Sequence, residues 1–131
     1  MPSRYNAYRF FVQNALRYES ESGKPFRPSI PDLSGGKKMA NQLDQWILSC
    51  NNSLIKFVRA ELKAYRLYTV TPRLLQFVDE LTNWYVRLNR DRFRSGSDPA
   101  DQEAALSSLW TVLMTLCKVR TISSSSLFAL N

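Results

Sequence analysis

Between Leu43 and Tyr65 the apolar residues Leu43, Trp46, Ile47, Cys50, Leu54, Phe57, Val58, Leu62 and Tyr65 recur every third or fourth position. A strand would place them at every second position, so this run predicts one long amphipathic helix with a single buried stripe. Such a stripe needs a partner surface, and the rest of the chain supplies the same pattern three more times. Ala7, Phe10, Phe11 and Tyr18, widened by Tyr8, Val12 and Leu16, predict a first helix over 5–19. Leu74, Phe77, Val78, Leu81, Trp84, Tyr85 and Leu88 predict a third. Leu106, Leu109, Trp110, Leu113, Leu116 and Cys117 predict a fourth. Four such stripes with short connections between the last three specify an all-α fold, an antiparallel bundle of four main helices.

The boundaries follow from capping chemistry. Asn41 with Asp44 three residues on opens the second helix, which is expected to run to about Leu67. Thr71 and Pro72 read as N-cap and first-turn proline of the third, and Asp98, Pro99 and Asp101 as N-cap, N1 and N3 of the fourth. Residues 20–40, with Pro25, Pro28, Pro31, Gly23, Gly35 and Gly36, predict a long loop whose Lys37 and Lys38 extend the basic surface. Residues 1–119 are thus one helical domain. Residues 120–131, RTISSSSLFALN, lack the periodicity and are expected to form an irregular, frayed tail.

Charge narrows the function. Eighteen lysines and arginines oppose eleven acids, a formal net charge of +7. Most of the cations are arginines, whose planar fork suits phosphate. There is no histidine, which removes the usual general base, the common zinc ligand and any Ser-His or Cys-His pair. Asp79 and Glu80 are adjacent and diverge on a helix, and GGKKM over 35–39 lacks the spacing of a phosphate loop. No catalytic residue and no metal ligand set is visible. Cys50 and Cys117 sit on apolar stripes and are expected to be reduced and buried. No apolar run reaches the roughly eighteen residues of a membrane span, and no signal-peptide core opens the chain. The chain is expected to be soluble, intracellular and away from membranes.

The densest cluster is Arg87, Arg90, Arg92 and Arg94, against Asp91 alone. Cations at a helix C-terminus complement the macrodipole at ~0.3–1 kcal/mol each, but four repel one another and point to an anionic partner. At 100° per residue, Leu81, Trp84, Tyr85 and Leu88 share an inward side, and Glu80, Asn83, Arg87, Arg90 and Arg94 an outward one. Trp84 is therefore expected in the core, and the exposed aromatics near the arginines, Phe93 and Tyr8, are the candidates for stacking on bases.

The successions LDQWILSCNNSLIKFV (43–58), AYRLYTVTPRLLQFVDELTNWYVRLNRDR (64–92) and EAALSSLWTVLMTLCKV (103–119), with YNAYRFFVQN (5–14), resemble the anticodon-binding helical domain of class I isoleucyl-tRNA synthetases of the cytosolic eukaryotic type. The resemblance covers roughly residues 5–119, and DELTNWYVRLNRDR is its most specific part. It implies a cytoplasmic tRNA-binding module contacting the anticodon stem-loop through Arg87, Arg90, Arg92 and Arg94, helped by Arg9 and Arg66. It also implies a parent enzyme that attaches isoleucine to tRNA with ATP, whose catalytic domain would be a further partner. The family's HIGH and KMSKS signatures have no counterpart here, so this polypeptide alone is expected to lack aminoacylation and to hold no cofactor. A monomeric fragment is expected, its ending replacing the family's next turn and helix as a truncated or frame-shifted reading frame would. The competing expectation is an interaction bundle that docks on an acidic protein surface without reading RNA.

Overall fold

In a computed structural model, described for residues 2–28, 41–94 and 96–129, the elements are α1 (Pro2–Ser22), α2 (Gln42–Lys63), α3 (Leu67–Glu80) and α4 (Pro99–Ala129). Between α3 and α4 lie a π-helical turn over Leu81–Val86 and a 3₁₀ turn over Arg90–Phe93. No strand occurs among the described residues. The expected helical bundle is what forms.

Local chemistry accounts for most ends. The Asn41 side chain accepts from the Leu43 and Asp44 amides and so caps α2. Asp98 accepts from the Ala100 amide at 3.2 Å and caps α4, with Pro99 at its first position. Gly23, at φ +66°, ends α1 as its amide bonds back to the Glu19 carbonyl. Phe26 then folds its ring edge-on against Phe11 and Tyr18, so the chain leaving α1 lies on that helix. Lys37, Lys38 and the rest of 29–40 lie outside the described residues.

The α2–α3 junction corrects the expected boundary. α2 stops at Lys63, and α3 begins at Leu67 with Pro72 inside it. The Arg66 amide reaches the Glu61 carbonyl and the Tyr65 amide reaches that of Leu62, a Schellman closure with Tyr65 in the left-handed region at φ 57°. The Glu61 carboxylate holds this turn by accepting from Arg66 Nε (3.1 Å), Arg66 Nη2 (3.0 Å) and the Thr69 hydroxyl. The chain therefore reverses before Thr71–Pro72 is reached. Pro72 leaves the Tyr68 carbonyl without its helical donor, at an exposed position open to solvent.

α1 packs on α4 and α3, and α2 packs on the same two helices, so α1 and α2 occupy opposite corners. Glu61 meets Thr69 at one end of the α2–α3 pair and Asp44 meets Tyr85 at the other, which makes the pair antiparallel. Tyr18 donates to Glu103 Oε2 at 3.3 Å near the start of α4, while Tyr5 lines one cleft with Leu116 and Cys117, so α1 and α4 are also antiparallel. Ile47, Leu54, Val70, Phe77, Leu81, Leu106, Leu109 and Val112 fill the centre with almost no exposure. Burying each such side chain contributes roughly 1.5–3 kcal/mol.

Two further expectations change. α4 continues to Ala129, through residues whose pattern suggests an irregular tail. The Thr121 and Ser125 hydroxyls donate to carbonyls four residues back, so these polar side chains find partners on their own helix. Cys50 is half-buried and Cys117 is exposed, both as free thiols, rather than both in the core. Burial, and then the Glu80 charge, pushes the Cys50 thiol up, with Arg73 opposing.

Candidate nucleic-acid interface

The basic segment hangs on a buried polar knot. Asp44, in the first turn of α2, lies in register with Ile47, Leu48 and Asn51 and faces inward. Arg92 meets it with Nη1 on Oδ1 (2.9 Å) and Nη2 on Oδ2 (3.0 Å). The same guanidinium reaches Asp101 through Nε (2.9 Å) and Nη2 (2.6 Å), and Asn89 Oδ1 through Nη1 (3.2 Å). Nη2 also lies 3.3 Å from the Asp101 carbonyl. Its five N–H donors are all engaged, so none remains for a phosphate. The Tyr85 hydroxyl donates to Asp44 Oδ1 at 2.6 Å, and Asn89 Nδ2 donates to the Tyr85 carbonyl at 2.9 Å.

Burial works to lower the Arg92 pKa, but the hydrogen bonds and charges of Asp44 and Asp101 outweigh it and keep the guanidinium charged. Burial, reinforced by the Asp44 charge, pushes the Tyr85 hydroxyl well above its ordinary value and keeps it a neutral donor. Arg92 is thus a strut between α2 and α4, which corrects its expected place among the free arginines.

The π-turn decides what faces outward. The Thr82 hydroxyl donates to the Val78 carbonyl at 2.9 Å, a back-bond that loosens the helix ladder there. A π-turn takes an extra residue, and the inward stripe shifts to Leu81, Tyr85, Val86, Asn89 and Phe93. Trp84 and Leu88, expected in the core, are instead 60% and 56% exposed. Phe93, expected as an exposed stacking candidate, is buried with its ring edge-on to Phe10 at 5.1 Å between centroids. Tyr8 is exposed.

Arg87, Arg90 and Arg94 are all exposed on the segment that carries Arg92. Arg87 and Arg90 are exposed and have no carboxylate partner among the described residues. Arg94 Nε lies 3.5 Å from Asp91 Oδ1, with both side chains largely in water, a pairing that contributes about 0–1 kcal/mol and yields easily to a stronger anion. The Arg94 carbonyl is fixed from behind by Gln102 Nε2 at 2.7 Å. Arg9 is exposed on α1, next to the Phe10 ring that seats on Phe93. Arg66 stands apart, held by Glu61 at the opposite end of α3, roughly 30 Å from Arg87 at 1.5 Å per residue.

Polar residues on inward stripes are the sequence signal for this knot. Asp44 falls on its helix's apolar stripe, and Asn89 follows Tyr85 by four residues; both positions mark polar groups that need buried partners. Among the described residues no group of three or more His, Cys, Asp or Glu could hold a metal ion, and no helix is long and apolar enough to cross a membrane. An apolar cleft of about 570 Å³ lies between α1, α3 and α4, with Arg120 among its lining residues.

Residues 44–121 match the family described as the anticodon-binding domain of tRNA ligase. The chain is 52% identical over 113 residues to the probable cytoplasmic isoleucine–tRNA ligase of Dictyostelium discoideum, covering 86% of this chain and 10% of that protein. It is 57% identical over 115 residues to the cytoplasmic isoleucine–tRNA ligase of Arabidopsis thaliana, and 46% identical over 115 to that of Mus musculus, covering 88% of this chain and 9% of each relative. It spans about a tenth of the length of these curated relatives.

Proposed function

Because this chain belongs to the family of anticodon-binding domains of tRNA ligases, we propose that it holds a tRNA through Arg87, Arg90 and Arg94, with Arg9 beside them on α1. The observation that carries this assignment is the division of labour among the arginines: Arg92 saturates two carboxylates internally, while Arg87 and Arg90 stay in water without a carboxylate partner among the described residues. A solvated guanidinium that no carboxylate neutralises is the group a phosphate replaces water on, and such contacts set the register of an RNA. Arg66 has no part in this patch, since its fork is taken by Glu61 at the far end.

Within a parent enzyme the module would work beside a catalytic domain that attaches isoleucine to tRNA with ATP, in the cytoplasm. The bundle itself, as a monomer, would bind tRNA without a cofactor and without turnover. The test is a titration of the chain with isoleucine tRNA at several salt concentrations. Arg87→Ala combined with Arg90→Ala is expected to weaken binding and to flatten the log–log salt slope by roughly 0.7 to 0.9 for each phosphate that the variant no longer neutralises. Unchanged affinity and slope in the double variant would remove these residues from the interface and favour docking on an acidic protein surface.

A further inference from the structure

The arginines account for phosphate binding but leave Trp84 unexplained. Its side chain is 60% exposed although Tyr85 and Val86 beside it turn inward, and Leu88, one turn further on, is 56% exposed. No ring stacks on the indole among the described residues, and no hydrogen bond engages its N–H. The π-turn, by shifting the inward stripe onto Tyr85 and Val86, is what leaves the indole outside. Single-turn π-segments of this kind are found frequently at functional sites. The indole is therefore held on a rigid base: Tyr85, its neighbour, is anchored to Asp44, and Thr82 is bonded to Val78.

We infer that Trp84 is a stacking platform for an unpaired base of the bound RNA, while Arg87 holds an adjoining phosphate. The inference rests on the tRNA-binding reading and deepens it. Charge selects the occupant: on the C-terminal side of the indole Arg87, Leu88 and Arg90 are exposed with no acid before Asp91, and Glu80, one turn earlier, is engaged by Gln76 and Arg73. An aromatic face rimmed by guanidinium groups suits a nucleotide, whose base is apolar on its faces and whose backbone is anionic. Bases inside a duplex have their faces covered, so the platform takes only bases of a loop or an unstacked strand. Stacking of this kind is tolerant of sequence, which makes Trp84 a reader of single-strandedness rather than of base identity.

The test uses the full 131-residue chain, with tRNA and with a blunt duplex RNA as ligands, and with circular dichroism to verify that the variants fold. Trp84→Ala is expected to weaken tRNA binding roughly ten- to hundredfold while leaving the salt slope and duplex binding unchanged. Trp84→Phe should recover most of the loss. The chain has three tryptophans, and the fluorescence quenching caused by tRNA should largely disappear in Trp84→Phe. If Trp84→Ala binds tRNA like the parent chain while Arg87→Ala still flattens the slope, the stacking inference is overturned and the RNA-binding reading stands. If the unaltered chain does not bind tRNA at all, both fall.

Discussion

Arg92 shows how one side chain within a run of like charges can have a different task from its neighbours. Its side chain is 12% exposed and that of Asp44 only 1%. A buried ion pair is no guarantee of net stability, but removing one partner strands the other charge, at a cost of roughly 3–5 kcal/mol. Arg92→Ala should therefore lower the urea midpoint severely, and Arg92→Lys should recover little, since an ammonium cannot fork between Asp44 and Asp101. Arg87→Ala, at an exposed position, should stay within about 0.5 kcal/mol of the parent. Equal denaturation midpoints for Arg87→Ala and Arg92→Ala would refute the strut.

At the scale of elements, the turn between α2 and α3 depends on one carboxylate. The Thr69 hydroxyl, foremost, and then Arg66 hold the Glu61 carboxyl below its ordinary pKa against the opposing effect of burial. A carboxyl whose pKa is depressed on folding binds fewer protons than in the unfolded chain. Its contribution is complete above the unfolded value of about 4.3, and is lost as pH falls through the lower folded value. Acid titration followed by amide exchange at Tyr65 and Arg66 should show this turn opening in that window. In Glu61→Gln the turn should be looser at neutral pH and indifferent to acid there. A turn that stays closed in the parent chain throughout the titration would take this role away from Glu61. The π-turn likewise carries polar bonds, from Thr82 to the Val78 carbonyl and from Tyr85 to Asp44.

Across the whole molecule, the exposed arginine patch is built on a core shared by all four helices. Leu109, fully buried on α4, lies in that core, and Leu109→Ala should cost roughly 2–5 kcal/mol. Because the exposed arginines are displaced only when the bundle opens, tRNA affinity measured well below the lowered melting temperature should remain within about twofold of the parent, as expected for distant independent sites. A large loss of affinity in a folded Leu109→Ala chain would show that core packing and the patch are coupled.

The sequence by itself determined that the chain forms four helices, where Asn41 and Asp98 start two of them, and that the surface is basic around residues 87–94. These follow from local spacing, caps and charge, which act over a few residues. Tertiary structure alone decided that Arg92 turns inward, that Trp84 and Leu88 turn outward, and that Phe93 is buried. Each of these depends on a partner the local pattern does not contain. Asp44 is 48 residues from Arg92, and Phe10 reaches Phe93 across the bundle. A periodicity of 100° per residue also carries no record of a π-turn, so the faces beyond Leu81 follow only once Tyr85 has found Asp44.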